Sequence, residues 1–240
     1  MLKNPKTFLY NFILLVGLFS HPKYTIAQST DTPIIPFNKG LSITIDGNLS
    51  DWHNQNNLFT VDQFISTWGS QDFGKTIFKA FHDEAYLYFY FDIKDKNIIE
   101  KKFEKEADVG GGDRGEIFLS ADTGLSEYYC FEISARAKVL DYKASYYRKF
   151  DYGWDLESLE VKSKIKTDGY ILEGRIPMAF IKGLMASNSE QSLYLGLFRG
   201  EFESMEWDEK TINWISWIRP TSEKPDFHIP SAFKKVQFGQ

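Results

Sequence analysis

One cysteine in 240 residues, Cys130, leaves no partner for an intramolecular disulfide, so the fold must rest on its core. Cys130 sits inside an aromatic strand pattern, where a buried, inert thiol is expected rather than a nucleophile. Basic runs are equally scarce: none exceeds two residues, as at Lys101-Lys102 and Lys234-Lys235, and the formal net charge is −5. A phosphate backbone requires a basic groove, so nucleic acid is not an expected partner. The four histidines, His21, His53, His82 and His228, are scattered without the helical spacing of a metal site, which argues against a zinc hydrolase. There is no G-x-S-x-G elbow, and Gly110-Gly111-Gly112 lacks the Lys-Ser/Thr that follows a phosphate cradle. Carboxylates are abundant, but no spacing singles out a glycosidase pair, and the chain is not expected to be an enzyme.

Long apolar runs are also missing, apart from Phe8 to Phe19. That run is shorter than the roughly 20 residues of a membrane helix. Preceded by Lys3 and Lys6 and followed by the small residues Thr25 and Ala27, it has the layout of a secretory signal spanning 1–27. No cysteine follows it, so a lipoprotein anchor is not indicated. Cleavage before Gln28 would remove Lys3, Lys6, Lys23 and no acid, taking the formal charge from −5 to −8. A secreted, periplasmic or cell-surface location is expected. Residues 28–40, rich in Ser, Thr, Asp and Pro, suggest a linker into a single domain over 41–240.

What the chain has in quantity is β-forming material, with 42% hydrophobic and 17% aromatic residues. In the stretch Lys75 to Asp95, Leu87, Phe89, Phe91 and Ile93 alternate with Tyr86, Tyr88, Tyr90 and Asp92. A strand sends such residues to opposite faces. With the β-rich Thr76 to Phe81 before it and the polar break His82-Asp83-Glu84-Ala85 between, this predicts a central hairpin, apolar on one side and only partly wet on the other. Leu41 to Ile45 alternates as a strand, Asp46-Gly47-Asn48 turns, and Trp52 is expected as a buried anchor.

Further strands are predicted at Gly115 to Ala121, Tyr128 to Ala135, Val139 to Tyr147, Val161 to Lys166 and Tyr170 to Ile176. Later ones run over Leu193 to Phe202, Ile212 to Ile218 and Phe233 to Phe238, with a helical turn at Met178 to Met185. Many short strands and almost no helical periodicity predict an all-β, antiparallel β-sandwich. Trp154, Trp207, Trp214, Trp217 and Phe227 fall in or beside loops, while Glu116, Glu132 and Arg199 fall on strands. Flat aromatics with planar polar groups nearby suit a sugar, whose rings offer apolar faces edged by hydroxyls.

The order of segments resembles the family 9 carbohydrate-binding modules and the wider DOMON-like sandwiches over nearly all of Leu41 to Phe238. It comprises Ile43-Thr44-Ile45-Asp46-Gly47 with Trp52, then Phe81-His82-Asp83-Glu84-Ala85-Tyr86-Leu87-Tyr88, then Asp113-Arg114-Gly115-Glu116-Ile117-Phe118-Leu119. Tyr128-Tyr129-Cys130-Phe131-Glu132-Ile133, Glu173-Gly174-Arg175-Ile176-Pro177, and Ile215-Ser216-Trp217 with Phe227-His228-Ile229-Pro230 complete the series.

The resemblance implies non-catalytic binding of a mono- or oligosaccharide, at chain ends, in the service of polysaccharide utilisation. It implies a site of Phe227, Arg199, Glu132 and Glu116, with the family's other clamp aromatic falling on the glycine run near Gly110 and Trp154 as a replacement platform. It also allows a structural calcium ion, for which the scattered Asp and Glu define no ligand set. Two alternatives come with it. One is a haem-binding redox module, with Met178 and His228 as the suggestive ligands, and the other is a scaffold whose sugar site has decayed.

Overall fold

The computed structural model describes residues 32–40, 43–53, 55–69, 72–186, 192–205 and 211–240. The expected signal, together with Leu41, Ser42 and Trp207, lies outside the described residues. The first strands are β1 (Ile34–Ile35), β2 (Phe59–Val61), β3 (Ile65–Ser66), β4 (Thr76–His82) and β5 (Tyr86–Lys94). They continue as β6 (Arg114–Ser120), β7 (Tyr128–Ser134), β8 (Val139–Ser145), β9 (Lys149–Asp151), β10 (Glu160–Lys166) and β11 (Gly169–Pro177). Helix α1 (Met178–Met185) precedes β12 (Ser192–Phe202), β13 (Ile212–Ser216) and β14 (Lys234–Phe238).

Two sheets form a sandwich. The smaller runs β10-β11-β5-β4-β2, and the larger runs β1-β14-β12-β6-β7-β8-β9, with β13 joined to β12 and β3 to β13. Every pairing is antiparallel except β1 with β14. The central hairpin forms with Thr76 opposite Ile93 and His82 opposite Leu87. Its turn is tied by the Asp83 carboxylate, whose Oδ1 accepts from the Ala85 and Tyr86 amides at 2.8 and 2.7 Å.

Period two then separates three apolar layers. Phe78, Leu87, Phe89, Phe91 and Ile93 of the small sheet meet Ile117, Phe131, Ile133, Leu195 and Leu197 of the large one between the sheets. Gly115 lets the sheets close up, because a Cβ there would lie 3.1 Å from Leu172 and 3.2 Å from Phe91. The tyrosine face of the hairpin is drier than expected: Ile43, Ile45 and Trp52 cover Tyr88, Tyr90 and Phe81. Trp52 is the buried anchor, its indole N–H donating to Glu173 Oε1 at 2.7 Å while the Gly47 amide donates to Glu173 Oε2 at 2.7 Å.

Residues 43–45 were expected as a strand but have no strand partner; they lie against the small sheet through side chains, with the Thr44 amide donating to Asp51 at 3.1 Å. Within the expected linker, Ile34 and Ile35 form β1, with Ile35 buried against the core. The third layer covers the outer face of the large sheet, and the candidate functional site lies there.

Candidate functional site

Alternation on the large sheet aims a second set of side chains away from the sandwich interior. On β6 these are Arg114, Glu116 and Phe118; on β7, Tyr128, Cys130 and Glu132; on β8, Leu140 and Tyr142. Most of the apolar ones join Phe198, Phe227 and Phe233 in a buried aromatic layer. Glu116 and Glu132 are directly opposite each other across β6 and β7, so register alone brings the two carboxylates together.

Arg114 answers them. Its Nε lies 2.8 Å from Glu116 Oε1 and 2.8 Å from Glu132 Oε2, and its Nη1 donates to the carbonyls of Gly110 and Gly112 at 3.2 and 3.1 Å. The Tyr142 hydroxyl donates to Glu132 Oε1 at 2.8 Å. Room for the guanidinium comes from Gly200 on β12, where a Cβ would lie 2.9 Å from Arg114 Nη1. The indole of Trp214, on β13, sits 5.5 Å from the guanidinium carbon.

One arginine cannot neutralise two buried carboxylates. Burial, opposed by Arg114 and reinforced by the Glu132 charge, pushes the Glu116 carboxyl up to about 8. Burial also works against the Arg114 charge, but the carboxylates of Glu132 and Glu116 more than offset it and hold its pKa above the ordinary value. The shift favours the protonated form, in which Glu116 has a proton to donate.

This cluster lines a concavity of about 740 Å³. One wall is aromatic, with Trp214, Phe227 and Phe202; Tyr142, Phe150 and Tyr152 line another part; Ala107, Gly110 and Gly111 form a wall almost without side chains. That last wall is held by Asp108, which accepts from Lys101 Nζ at 2.5 Å and from the amides of Glu104 and Lys105 at 3.0 and 2.9 Å. These bonds, the Lys101 one foremost, lower its pKa to about 2. Elsewhere on the rim Arg148 is paired with Asp226 at 2.7 Å.

Of the five expected site residues, Phe227, Glu116 and Glu132 come together here, with Gly110 beside them. Phe227 is mostly buried, one ring face stacked on Phe198 at 4.1 Å. Arg199 is not in this group. On β12 it shares the inward side with Leu193, Leu195 and Leu197, and it crosses to the small sheet, donating to the Gly74 carbonyl at 2.8 Å and to Thr76 Oγ1 at 3.2 Å. Trp154 is not in it either. It packs on Tyr129 at 4.7 Å and Phe180 at 5.8 Å, at the edge of the inter-sheet core.

Arg114, Tyr142 and Tyr152 line the concavity without having been singled out for it, and of the loop tryptophans named from the sequence Trp214 joins them. The signal for Arg114 was there, since period two sets it on the same face as Glu116. Met178 and His228 are not brought together: Met178 belongs to the inter-sheet core, whereas His228 lines the concavity. His228 Nδ1 lies 3.1 Å from the Tyr128 hydroxyl, and burial, aided by the Arg148 charge, lowers its pKa to about 3. Among the described residues no three His, Cys, Asp or Glu side chains converge as they would on a metal ion. Cys130 is buried, which drives its thiol pKa up and keeps it unreactive.

The family model described as "Carbohydrate family 9 binding domain-like" matches residues 45–239. The chain belongs to this family. Among solved structures, a Bacteroides uniformis protein described as a candidate carbohydrate-binding protein matches with a TM-score of 0.63 and 14% identity, over 87% of this chain and 100% of that one. A family 9 carbohydrate-binding module of Caldicellulosiruptor kristjanssonii in complex with cellotriose matches at 0.57 and 15%, over 87% and 94%. The same organism's module in complex with glucose matches at 0.51 and 19%, over 86% and 96%. At these identities the likeness is one of fold. No curated protein matches the chain.

Proposed function

We propose that this exported family 9 domain binds carbohydrate without transforming it, in the concavity above Arg114. The observation that carries the reading is a buried Arg114–Glu116–Glu132 cluster opening into a cup walled by Trp214, Phe227 and Phe202. Sugar hydroxyls need donors and acceptors fixed in advance, and sugar C–H faces need aromatic surface; the cup supplies both. The glucose and cellotriose bound by the Caldicellulosiruptor modules add support from the same fold.

Binding without hydrolysis is supported by the family, whose description names binding and no reaction. Glu116 and Glu132, both held on one nitrogen of Arg114, form a fixed polar group suited to reading hydroxyls. The reading needs no cofactor.

The test is calorimetry of the wild-type protein with a panel of mono- and oligosaccharides, beside Arg114→Met. Binding is expected for the wild type, with affinity reduced about a hundredfold in the variant, the scale of losing charge-assisted hydrogen bonds in a buried site. Absence of binding by a folded wild-type protein across the panel would sink the reading.

A further inference from the structure

The cup does not end at Tyr152. A second hollow, of about 530 Å³, shares Ala107, Leu140 and Tyr152 with it, and a third, of about 340 Å³, shares Phe103 with the second. Two of the residues shared between hollows are aromatic and open to solvent. Tyr152 is 60% exposed and Phe103 40%, although large aromatic side chains are ordinarily well buried.

From this geometry we infer that the protein binds a neutral oligosaccharide several rings long, laid from the Arg114 cup across Tyr152 towards Phe103, with Tyr152 determining preference for chain length. The inference rests on the carbohydrate reading above and extends it along the surface. A single sugar ring needs one aromatic face; a chain presents an apolar face at each ring and gains from aromatics set along its path.

Three features open that path. Ala107, Gly110 and Gly111 carry nothing that would close the cup, and a Cβ at Gly110 would meet no atom within 4 Å. Tyr152 is supported from beneath, its ring 5.0 Å from Tyr142 and 5.6 Å from Phe150, so an exposed ring is held without first having to be ordered. Three of the cations beside the path are paired with carboxylates: Lys101 with Asp108 at 2.5 Å, Lys102 with Glu104 at 3.0 Å and Arg136 with Glu100 at 2.8 Å. Lys105 lines the second hollow together with Glu106, and Lys138 lies against the Phe103 ring at 5.1 Å. Cations and carboxylates are thus interspersed along the path, which favours an uncharged chain over an acidic one.

The test titrates wild type, Tyr152→Ala and the double variant Phe103→Ala/Tyr152→Ala with monomer, trimer and hexamer of the glucan, xylan, mannan and galactan series, and with a galacturonan hexamer. In the best-bound series the hexamer should bind wild type about tenfold or more tighter than the monomer. Tyr152→Ala should remove most of that gain, weakening the hexamer about tenfold more than the monomer, and Tyr152→Phe should keep it. Equal affinity for monomer and hexamer, or hexamer affinity unaltered in the double variant, overturns the inference while leaving the carbohydrate reading intact. Tighter binding of the galacturonan hexamer than of every neutral one overturns the neutral class. If folded wild-type protein binds no series, both readings fall together.

Discussion

Two buried arginines sit in adjacent strands of one sheet, one step out of phase: Arg199 of β12 is opposite Gly115, and Arg114 of β6 is opposite Gly200. That single step sends Arg199 into the sandwich and Arg114 out through the large sheet's other face. Inside, Arg199 is tied chiefly to groups that are parts of the fold, the carbonyls of Gly74 and Lys94 and the Thr76 hydroxyl, with Asp95 and Glu201 nearby. It joins the large sheet to β4 and β5. Outside, Arg114 balances two carboxylates that border an open cup, and aromatic rings stand around it. Equal burial, then, does not mean equal purpose. The partners of a buried charge, and what lies beyond them, separate a clip from a site.

The largest expected effect breaks the clip. Arg199→Met leaves Asp95 and Glu201 without their cation and the Gly74 carbonyl without its donor, a loss on the order of 3–5 kcal/mol in unfolding free energy for removing one side of a buried pair. Urea denaturation measures it. The molecules that remain folded should bind sugar as the wild type does, so a loss of affinity with unchanged stability would reverse the assignment of the two arginines.

A second prediction sharpens the outer cluster through its proton. Glu116 has its folded pKa raised from 4.5 to about 8, burial being the main cause, so between those values the native state holds a proton that the unfolded chain has released. Stability from this group must then fall as pH rises through the window. His228, lowered from 6.5 to about 3, works in the opposite sense below 6.5 and is spent above it. The clean interval is therefore pH 6.5 to 8, where Glu116 accounts for a decline of up to ~2 kcal/mol. Asp113, also raised to about 8 by burial, adds a decline of the same sign in both proteins. Glu116→Gln, which copies the protonated form, should flatten the slope of melting temperature against pH there. A variant slope as steep as the wild type's would mean that Glu116 is ionised at neutral pH.

The sandwich was legible because β-periodicity survives wherever one face is apolar and the turns are marked, as in β4, β5, β10 and β11. The short strands β1, β2, β3 and β9 were not, since two or three residues carry no period and owe their pairing to longer neighbours. The candidate site was half legible. Ordered motifs led to Glu116, Glu132 and Phe227, but on β12 both faces are buried, with Leu193, Leu195 and Leu197 on one and Phe198 and Phe202 on the other. Alternation there cannot tell core from site without the register. Arg199 did share its parity with three leucines, which was a signal of the interior. Trp154 stands in a loop, where no period assigns a face, and its partner Phe180 comes from α1, distant in sequence.

The smallest change tests the comparison from the side of the missing atom. Gly200 has no left-handed backbone to protect, so its role is space: a Cβ there would lie 2.9 Å from Arg114 Nη1 and 3.2 Å from Cζ. Because a guanidinium at the end of a flexible side chain can move a few tenths of an ångström, Gly200→Ala should fold with a stability cost of about 1 kcal/mol or less. What it shifts is the distance from Arg114 to both carboxylates, and with that the geometry offered to a hydroxyl. Affinity should drop roughly three- to tenfold, the modest cost of a misaligned hydrogen bond. The matching change on the other side, Gly115→Ala, would press on Leu172 and Phe91 in the core and should lower the melting temperature without touching affinity. Should the two alanines exchange these effects, the outer face would be the clip and the inner face the site.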